Sequence, residues 1–260
     1  MHGLGTKQIL KVATTISTEW TAGPLAPAIS DREVHVWKVD LCGSASEVMH
    51  SCLSDDEQER AARFHFKKDR ECYRIAHGSL RLILGRYLDL APAELHFGQT
   101  EFGKPFLTNS EASGLLFNMS HSGDFALIAV THEREVGVDV EFMRDGFATD
   151  EVAENFFSVA EIYTLTGLEP HLRMRAFFNC WTRKEAYVKA RGEGLSMPLD
   201  QFDVSLAPGV PATMLNNRLD EMETSRWTFH DLAVAPEYAG ALAIESFSSP
   251  ARVSCYSLSP

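Results

Sequence analysis

Five side chains, spread over three short segments of the chain, are of the types that bind metal ions and phosphate groups. They are His121, Asp139, Glu141, Glu185 and Lys189. Carboxylate oxygens are preferred ligands of Mg²⁺, which often completes its coordination shell with phosphate oxygens of a substrate. A lysine or a histidine can bind the phosphate oxygens that the metal does not hold. The set therefore indicates a magnesium-dependent enzyme that acts on a phosphate-rich cofactor.

Two of the acids belong to a predicted strand, Val136–Glu141. Alternate side chains of a strand share a face, so Asp139 and Glu141 point the same way while Val138 and Val140 point into the core. Two carboxylates about 7 Å apart along a strand can converge on one cation. Taken alone, the pattern is also typical of two solvent-facing acids on an edge strand.

The third acid lies in a long predicted helix. Trp181, Glu185 and Lys189 follow one another at four-residue intervals and so share one stripe of that helix. By itself, the stripe is explained by an aromatic packing residue and an ordinary helix ion pair. The glycines that follow, Gly192 and Gly194, permit a tight exit and a close backbone approach, and so they favour a ligand site here.

His121 lies between Ser120 and Ser122, which suggests a serine nucleophile activated by a histidine. Adjacent residues of an extended loop rarely point at each other, and the chain contains no Gly-x-Ser-x-Gly elbow. A histidine beside hydroxyl groups at a strand end is well placed to donate to a phosphate. We therefore prefer phosphate binding to nucleophilic hydrolysis.

Composition excludes several classes of protein. With 45% apolar and 23% charged residues, the 260-residue chain is expected to fold, either as one large domain or as two small ones. No apolar run is long enough to span a membrane, and no cleavable leader is convincing. The five cysteines include no Cys-x-x-Cys pair, so neither a disulfide framework nor a zinc site is indicated. We expect a cytoplasmic protein.

The net charge of −12 argues against general binding of nucleic acids, whose phosphate backbone requires a basic surface. Eight of the 24 lysines and arginines, however, lie between Arg60 and Arg86, with only two acids among them. Solvated helix faces would explain most of these residues one by one. The cluster as a whole predicts a local anion-binding site on an otherwise acidic protein.

Two capping boxes are predicted, one beginning at Ser54 and the other at Ser158. In each, the serine hydroxyl and a glutamate satisfy free backbone N–H groups at the start of a helix. A long helix follows each serine at the same distance, since 27 residues separate Ser54 from Arg81 and Ser158 from Glu185 alike. The spacing suggests a duplicated α+β half. We assign Glu161 to its cap rather than to catalysis.

The predicted boundary divides the chain into residues 1–133 and residues 134–260. Elements predicted in the first half are a strand at Val34–Leu41, a helix from Ser54, a helix from Asp69 to about Leu90, a short strand and turn at Leu95–Leu107, and a hairpin of Leu115–Met119 and Phe125–Thr131. Those in the second half are the strand at Val136–Glu141, a helix from Ser158, a helix at Arg175–Ala190, and strands at Phe202–Leu206, Trp227–Leu232 and Ala241–Glu245.

Five segments together resemble motifs of the Sfp-type 4′-phosphopantetheinyl transferases, in that family's order, over residues 54–206. They are Phe102–Pro105, Phe117–Ser122, Gly137–Glu141, Phe156–Glu161, and Trp181–Lys189 with Gly192–Leu195. The resemblance implies transfer of the 4′-phosphopantetheine arm of coenzyme A to a serine hydroxyl of an apo carrier protein, with release of adenosine 3′,5′-bisphosphate. It also implies an α+β fold of two similar halves related by a pseudo-twofold axis, with the active site in the cleft between them.

The resemblance further implies roles around the diphosphate. Asp139, Glu141 and Glu185 are expected to hold Mg²⁺ there, and Asp139 to contact the cofactor as well. Lys189 is expected to contact the phosphate that is transferred, and His121 to bind a phosphate oxygen; these two and Glu185 form the expected catalytic group. Either Glu185, or a water or hydroxide on the metal, could deprotonate the carrier serine.

Other residues are implied to bind the rest of the cofactor. Ser120 is expected to bind phosphate oxygens beside the histidine. Gly103, Lys104 and Pro105 are expected to line the adenine and 3′-phosphate end. Arg60 falls where the family commonly has a basic residue for the 3′-phosphate.

The implied partner is an acyl, peptidyl or aryl carrier protein of fatty-acid, polyketide or nonribosomal-peptide synthesis. Such carriers are acidic, so we expect a local basic or apolar patch on the helix at residues 173–191, with Met174, Phe177 or Phe178 if exposed. Family likeness suggests a monomer. Two alternatives from other classes are a non-catalytic coenzyme A-binding protein and a metal-dependent phosphohydrolase.

Overall fold

The computed structural model describes residues 19–42, 45–108, 113–246 and 251–258. They form a mixed α+β fold. The helices are α1 (Glu47–Ser51), α2 (Asp55–Ala62), α3 (Lys67–Leu88), α4 (Asp150–Phe156), α5 (Val159–Gly167), α6 (Pro170–Arg191) and α7 (Glu223–Arg226). The strands are β1 (Thr21–Ala22), β2 (Glu33–Asp40), β3 (Phe97–Gln99), β4 (Pro105–Leu107), β5 (Leu115–Ser122), β6 (Phe125–His132), β7 (Val136–Phe142), β8 (Phe202–Val204), β9 (Met214–Asn217), β10 (Trp227–Asp231), β11 (Tyr238–Glu245) and β12 (Arg252–Ser257).

Two sheets repeat one pattern. In the five-stranded sheet, of order β1-β12-β2-β6-β5, strand β2 pairs with β6 and β6 with β5, and α2 and α3 come between β2 and β5 in the chain. In the three-stranded sheet, of order β10-β11-β7, strand β7 pairs with β11 and β11 with β10, and α5 and α6 come between β7 and β10. All these pairs are antiparallel. The equivalence confirms the duplicated half that the capping-box spacing predicts.

In each half, a buried cation of the long helix binds the glutamate of the capping box. In the first half, Arg81 donates to Glu57 at 2.7 Å and to carbonyl groups of the segment that follows α3. In the second half, Lys184 lies 2.9 Å from Glu161 and donates to carbonyl groups of the segment that follows α6. Both glutamates complete capping boxes with their serines. The assignment of Glu161 to its cap is confirmed.

Most predicted elements are present, with shifted ends. The predicted hairpin is the β5–β6 pair, whose register runs from Leu115 opposite His132 to Ser122 opposite Phe125. The helix predicted from Arg175 begins earlier, at Pro170, because proline is favourable in a first helical turn, where its missing N–H costs no hydrogen bond. Local sequence patterns do not predict β9 or β12.

The strand β12 does not join the second sheet. It lies parallel to β2 and between β2 and β1, so the C-terminal segment returns to the sheet of the first half. The predicted division assigns residues 134–260 to the second half, but β12 lies within the sheet of the first half. The strand is short and polar, and its partners lie far away in the sequence, which is why local patterns do not reveal it.

Apolar side chains from both halves form the core between the sheets. Val34 and Val36 of β2 pack in one cluster with Val138 and Val140 of β7 and with Leu242 of β11. By the alternation of strand side chains, Asp139 and Glu141 therefore lie on the other face of β7. No helix in the described ranges is both long and apolar enough to cross a membrane.

Replacing Lys184 by methionine should lower the free energy of unfolding by about 3–5 kcal/mol, because Glu161 is left buried without its charge partner. The two side chains are 0% and 2% exposed. Urea denaturation at pH 7 measures the loss. Lys68→Met is the matched control, since Lys68 makes only a solvent-exposed ion pair with Asp124 and its replacement should change little. Equal effects of the two substitutions would contradict this account of the buried pair.

Candidate active site

The strand and the helix that carry the acids touch at a glycine. A Cβ atom on Gly137 would lie 2.0 Å from the carbonyl oxygen of Ala186 and 2.4 Å from the backbone nitrogen of Ala190. Only glycine therefore permits this approach of β7 to α6. The contact places the two acids of β7 beside the turn of α6 that runs from Glu185 to Lys189.

Asp139 is the centre of the site. Its side chain is buried, and its Oδ1 accepts hydrogen bonds from Lys189 Nζ at 2.6 Å and from Ser120 Oγ at 2.8 Å. Lys189 also donates to Ser120 Oγ at 2.9 Å. An acid from β7, a cation from α6 and a hydroxyl from β5 thus meet at one point between the two halves.

The three carboxylates are close enough to repel one another. Burial, reinforced by the charge of Asp139, raises the pKa of Glu141 above its ordinary value. Burial and the charges of Asp139 and Glu141 raise the pKa of Glu185 to about 7, although Lys189 opposes the shift. Burial and the neighbouring acids together disfavour the charged forms of Glu141 and Glu185, even with Lys189 close by.

The three carboxylates are donors of the kind that a divalent cation prefers. The second carboxylate oxygen of Asp139, Oδ2, is buried and has no hydrogen-bond partner. A buried carboxylate oxygen without a donor is costly, and a cation would satisfy it. Among the described residues, no group of three or more His, Cys, Asp or Glu side chains is arranged to hold a metal as it stands. In this arrangement the ammonium of Lys189 supplies the positive charge at Asp139.

His121 lies beside this cluster on β5. Its side chain is exposed, but the surrounding protein and the nearby charges of His77 and Lys189 lower the pKa of its imidazole. The ring of His77 stacks on that of Tyr73, with centroids 4.0 Å apart. Arg60, which is exposed, is close enough to Tyr73 to influence the pKa of its hydroxyl. The structure therefore connects Arg60 to the cluster only through intervening side chains.

Lys104 is already paired with other groups. Its Nζ lies 2.6 Å from Glu135 Oε2 and donates to the carbonyl oxygen of Ala190 at 2.7 Å. A cavity of about 260 Å³ is lined in part by Lys104 and Pro105. Gly103, with φ +83°, forms the turn before them. These three predicted residues thus lie together at a cavity, but Glu135 rather than the carboxylate cluster neutralises Lys104.

The expected carrier-binding patch is not formed by Phe177 or Phe178. Both are buried, at 2% and 0% exposure, in the core that α6 shares with the second sheet. Met174 is only partly exposed. Phe156, in contrast, has an exposed aromatic side chain, and its ring packs edge-on against Trp181 at 5.5 Å.

Gly137, Asn118 and Ser122 lie within the motif segments, but local sequence patterns do not predict the roles that they have in the site. The role of Gly137 depends on its distance from α6, which no local pattern reveals. Asn118 and Ser122 lie on the same side of β5 as Ser120 and bond to β7. Polar residues at alternate positions of a strand mark one face as polar, and this signal could have found them.

Two family models match the chain, one in each half. The model described as 4′-phosphopantetheinyl transferase, N-terminal, matches residues 42–133. The model described as 4′-phosphopantetheinyl transferase superfamily matches residues 135–243, which include the three carboxylates and Lys189.

Individual relatives agree with the family models. The chain is 34% identical to the 4′-phosphopantetheinyl transferase HetI of Nostoc sp. over 231 residues, which cover 88% of this chain and 94% of the relative. It is 30% identical to the 4′-phosphopantetheinyl transferase Sfp of Bacillus subtilis over 166 residues, 64% of this chain and 72% of the relative. It is 27% identical to the L-aminoadipate-semialdehyde dehydrogenase-phosphopantetheinyl transferase of Xenopus laevis over 213 residues, 74% of this chain and 68% of the relative. Similarity that extends over both halves, together with the anionic cluster between them, shows that the chain belongs to the 4′-phosphopantetheinyl transferase superfamily.

Proposed function

We propose that the cluster of Asp139, Glu141, Glu185 and Lys189 is where this enzyme transfers the 4′-phosphopantetheine arm of coenzyme A to a serine hydroxyl of an apo carrier protein. The serine oxygen bonds to the phosphorus that carries the arm, the bond from that phosphorus to the bridging oxygen breaks, and adenosine 3′,5′-bisphosphate leaves. The observation that supports this placement is the meeting of three acids and a lysine, from two distant segments, in one cluster between the halves.

The three acids would hold a Mg²⁺ ion. The unpartnered Oδ2 of Asp139 and the raised pKa values of Glu141 and Glu185 support this. A cation would bond the buried oxygen and would stabilise the charged forms that burial and the neighbouring acids disfavour. Bound there, the ion would neutralise charge on the diphosphate and polarise its phosphoryl oxygens.

Lys189 would bind a phosphate oxygen. Its side chain is 29% exposed, so the ammonium can exchange Asp139 Oδ1 for a ligand oxygen at the edge of the cluster. Ser120, which contacts the same Asp139 oxygen, and His121, the next residue of β5, would donate to further phosphate oxygens. Phosphoryl transfer depends mainly on such positioning and charge neutralisation.

Glu185 is also suited to take the proton of the carrier serine. A general base works best when its pKa is near the working pH, and the pKa of Glu185 is about 7 in the free protein. A bound cation would lower this pKa and keep the carboxylate ionised, which favours the role of ligand over that of base.

The remaining parts of the substrates would occupy the surroundings of the cluster. The cavity at Lys104 and Pro105 would take the adenine end of coenzyme A, and Arg60 would help bind the 3′-phosphate. The acceptor would be an acyl, peptidyl or aryl carrier protein, met by a monomeric enzyme in the cytoplasm. Membership of the transferase family over both halves favours this function over a phosphohydrolase or a non-catalytic coenzyme A-binding protein.

Asp139→Asn and Glu185→Gln should each abolish most transfer. Losing an outer partner of a metal ligand typically costs about 10–100-fold, so losing a ligand should cost at least as much. The assay incubates each variant with coenzyme A, Mg²⁺ and an apo carrier protein, and weighs the carrier by mass spectrometry. Glu154→Gln, at an exposed carboxylate of α4, is the control and should transfer normally. Normal turnover of either site variant would refute the assigned roles.

The same assay tests the function itself. The wild-type enzyme should add the mass of phosphopantetheine to the carrier. An unchanged carrier together with degraded coenzyme A would indicate hydrolysis instead, and an unchanged carrier with intact coenzyme A would indicate binding without catalysis. Urea denaturation checks the folding of the variants. Asp139→Asn should be less stable than Glu185→Gln, because it weakens the ion pair with Lys189.

Glu185→Gln should also change how stability depends on pH. The folded protein keeps a proton on Glu185 that the unfolded chain releases, because the pKa is raised from 4.5 to about 7. The wild type therefore loses stability as the pH rises through this window, and the variant does not. In the absence of divalent ions, the stability of the variant relative to the wild type should be greater at pH 8 than at pH 5 by about 1–3 kcal/mol. Denaturation at both pH values measures this, and an identical difference at each would show that folding does not raise the pKa of Glu185.

A further inference from the structure

The edges of the two sheets meet without pairing backbone to backbone. β5 ends the five-stranded sheet, and β7 ends the three-stranded sheet. On the free edge of β7, backbone N–H groups at alternate residues donate to side chains of β5. The bonds run from Val138 to Asn118 Oδ1 at 2.9 Å, from Val140 to Ser120 Oγ at 3.4 Å, and from Phe142 to Ser122 Oγ at 3.0 Å. Three side chains thus take the place of a neighbouring strand.

Ser122 makes a second contact, with a carboxylate of the site. Its hydroxyl donates to Glu141 Oε2 at 2.8 Å while it accepts from the N–H of Phe142. A serine hydroxyl has one proton and two lone pairs, so both bonds can form together. The backbone next to Glu141 therefore orients the hydroxyl that holds the Glu141 carboxylate.

The turn after Ser122 is bound to the second half. A Cβ atom on Gly123, which has φ +57°, would lie 2.4 Å from the hydroxyl oxygen of Tyr238. The backbone N–H of Asp124 donates to that same hydroxyl at 2.9 Å. Because Tyr238 belongs to β11, the tip of the β5–β6 hairpin is anchored on the sheet that carries Glu141. This anchor fixes the place of Ser122 relative to the acid.

We infer that Ser122 is a positioning residue, which holds the Glu141 carboxylate in the orientation it needs as a metal ligand. The inference rests on the proposed function, because it requires Glu141 to be a ligand. The other two side chains of this edge act differently. Ser120 bonds the carboxylate of Asp139, which Lys189 also contacts, and it lies where a phosphate is expected. Within the described part of the chain, the side chain of Asn118 bonds only the backbone of β7. Ser122 bonds the backbone of β7 as well, but at the site its assigned task is to hold the Glu141 carboxylate.

Metal affinity is the property that such a residue controls. The test measures Mn²⁺ binding to the full chain, by electron paramagnetic resonance of the free ion, at one pH and without coenzyme A. Ser122→Ala should weaken Mn²⁺ binding about 10–100-fold, the usual effect of losing an outer partner of a ligand. Ser122→Thr keeps the hydroxyl and should stay close to the wild type.

Asn118→Ala is the matched control. It removes a bond to the same edge of β7 but no contact with a carboxylate, so it should lower the melting temperature without a comparable loss of Mn²⁺ affinity. Unchanged affinity of a folded Ser122→Ala, failure of Ser122→Thr to restore it, or an equal loss in Asn118→Ala would overturn the inference.

Asp139→Asn separates this failure from a failure of the proposed function. If Asp139→Asn leaves Mn²⁺ affinity unchanged, the metal site is wrongly assigned, and the role of Ser122 falls with it. If Asp139→Asn abolishes binding but Ser122→Ala does not weaken it, only the role of Ser122 is wrong.

Discussion

The site depends on the contact between β7 and α6 at Gly137, where backbone meets backbone. This contact brings acids from a strand and a helix into one cluster, and so it forces like charges together. Lys189 and two serine hydroxyls offset part of the repulsion. Burial, together with the repulsion that remains, raises the pKa of Glu185 to about 7. Asp139 Oδ2 is buried without a hydrogen-bond partner. A site strained in this way in the free protein favours a cation, because the ion removes the repulsion that destabilises the fold.

The internal duplication explains why the site is asymmetric. Each half uses a capping box, a long helix and a buried cation on that helix, so the scaffold is built twice. Glu185 lies 27 residues after the capping serine of the second half, and Arg81 lies 27 residues after the capping serine of the first half. Arg81 is bonded to Glu57 of its capping box. The second half therefore supplies the charged groups. The first half supplies the polar side of β5, and a ligand bound between them would contact both.

Local physical chemistry makes part of this structure predictable. Capping boxes, the β5–β6 hairpin and the two acids on one face of β7 depend on neighbours in sequence, and all are recovered from it. Residue type and family motif group the three carboxylates with Lys189, and the structure brings these side chains together. The contacts that hold them there are long-range. The approach of Ala186 to Gly137, the return of β12 to the first sheet and the bond from Ser122 to Glu141 join segments that no periodicity connects. Burial of Phe177 and Phe178 likewise depends on the sheet beneath α6.

The most direct test of the central claim is the position of a metal ion in crystals of the enzyme with coenzyme A and Mn²⁺. Anomalous scattering from manganese locates the ion independently of the protein model. We predict one strong peak within coordination distance of carboxylate oxygens of Asp139, Glu141 and Glu185 and of the diphosphate. A peak on the diphosphate that none of these carboxylates reaches, or a peak elsewhere in the protein, would contradict the account.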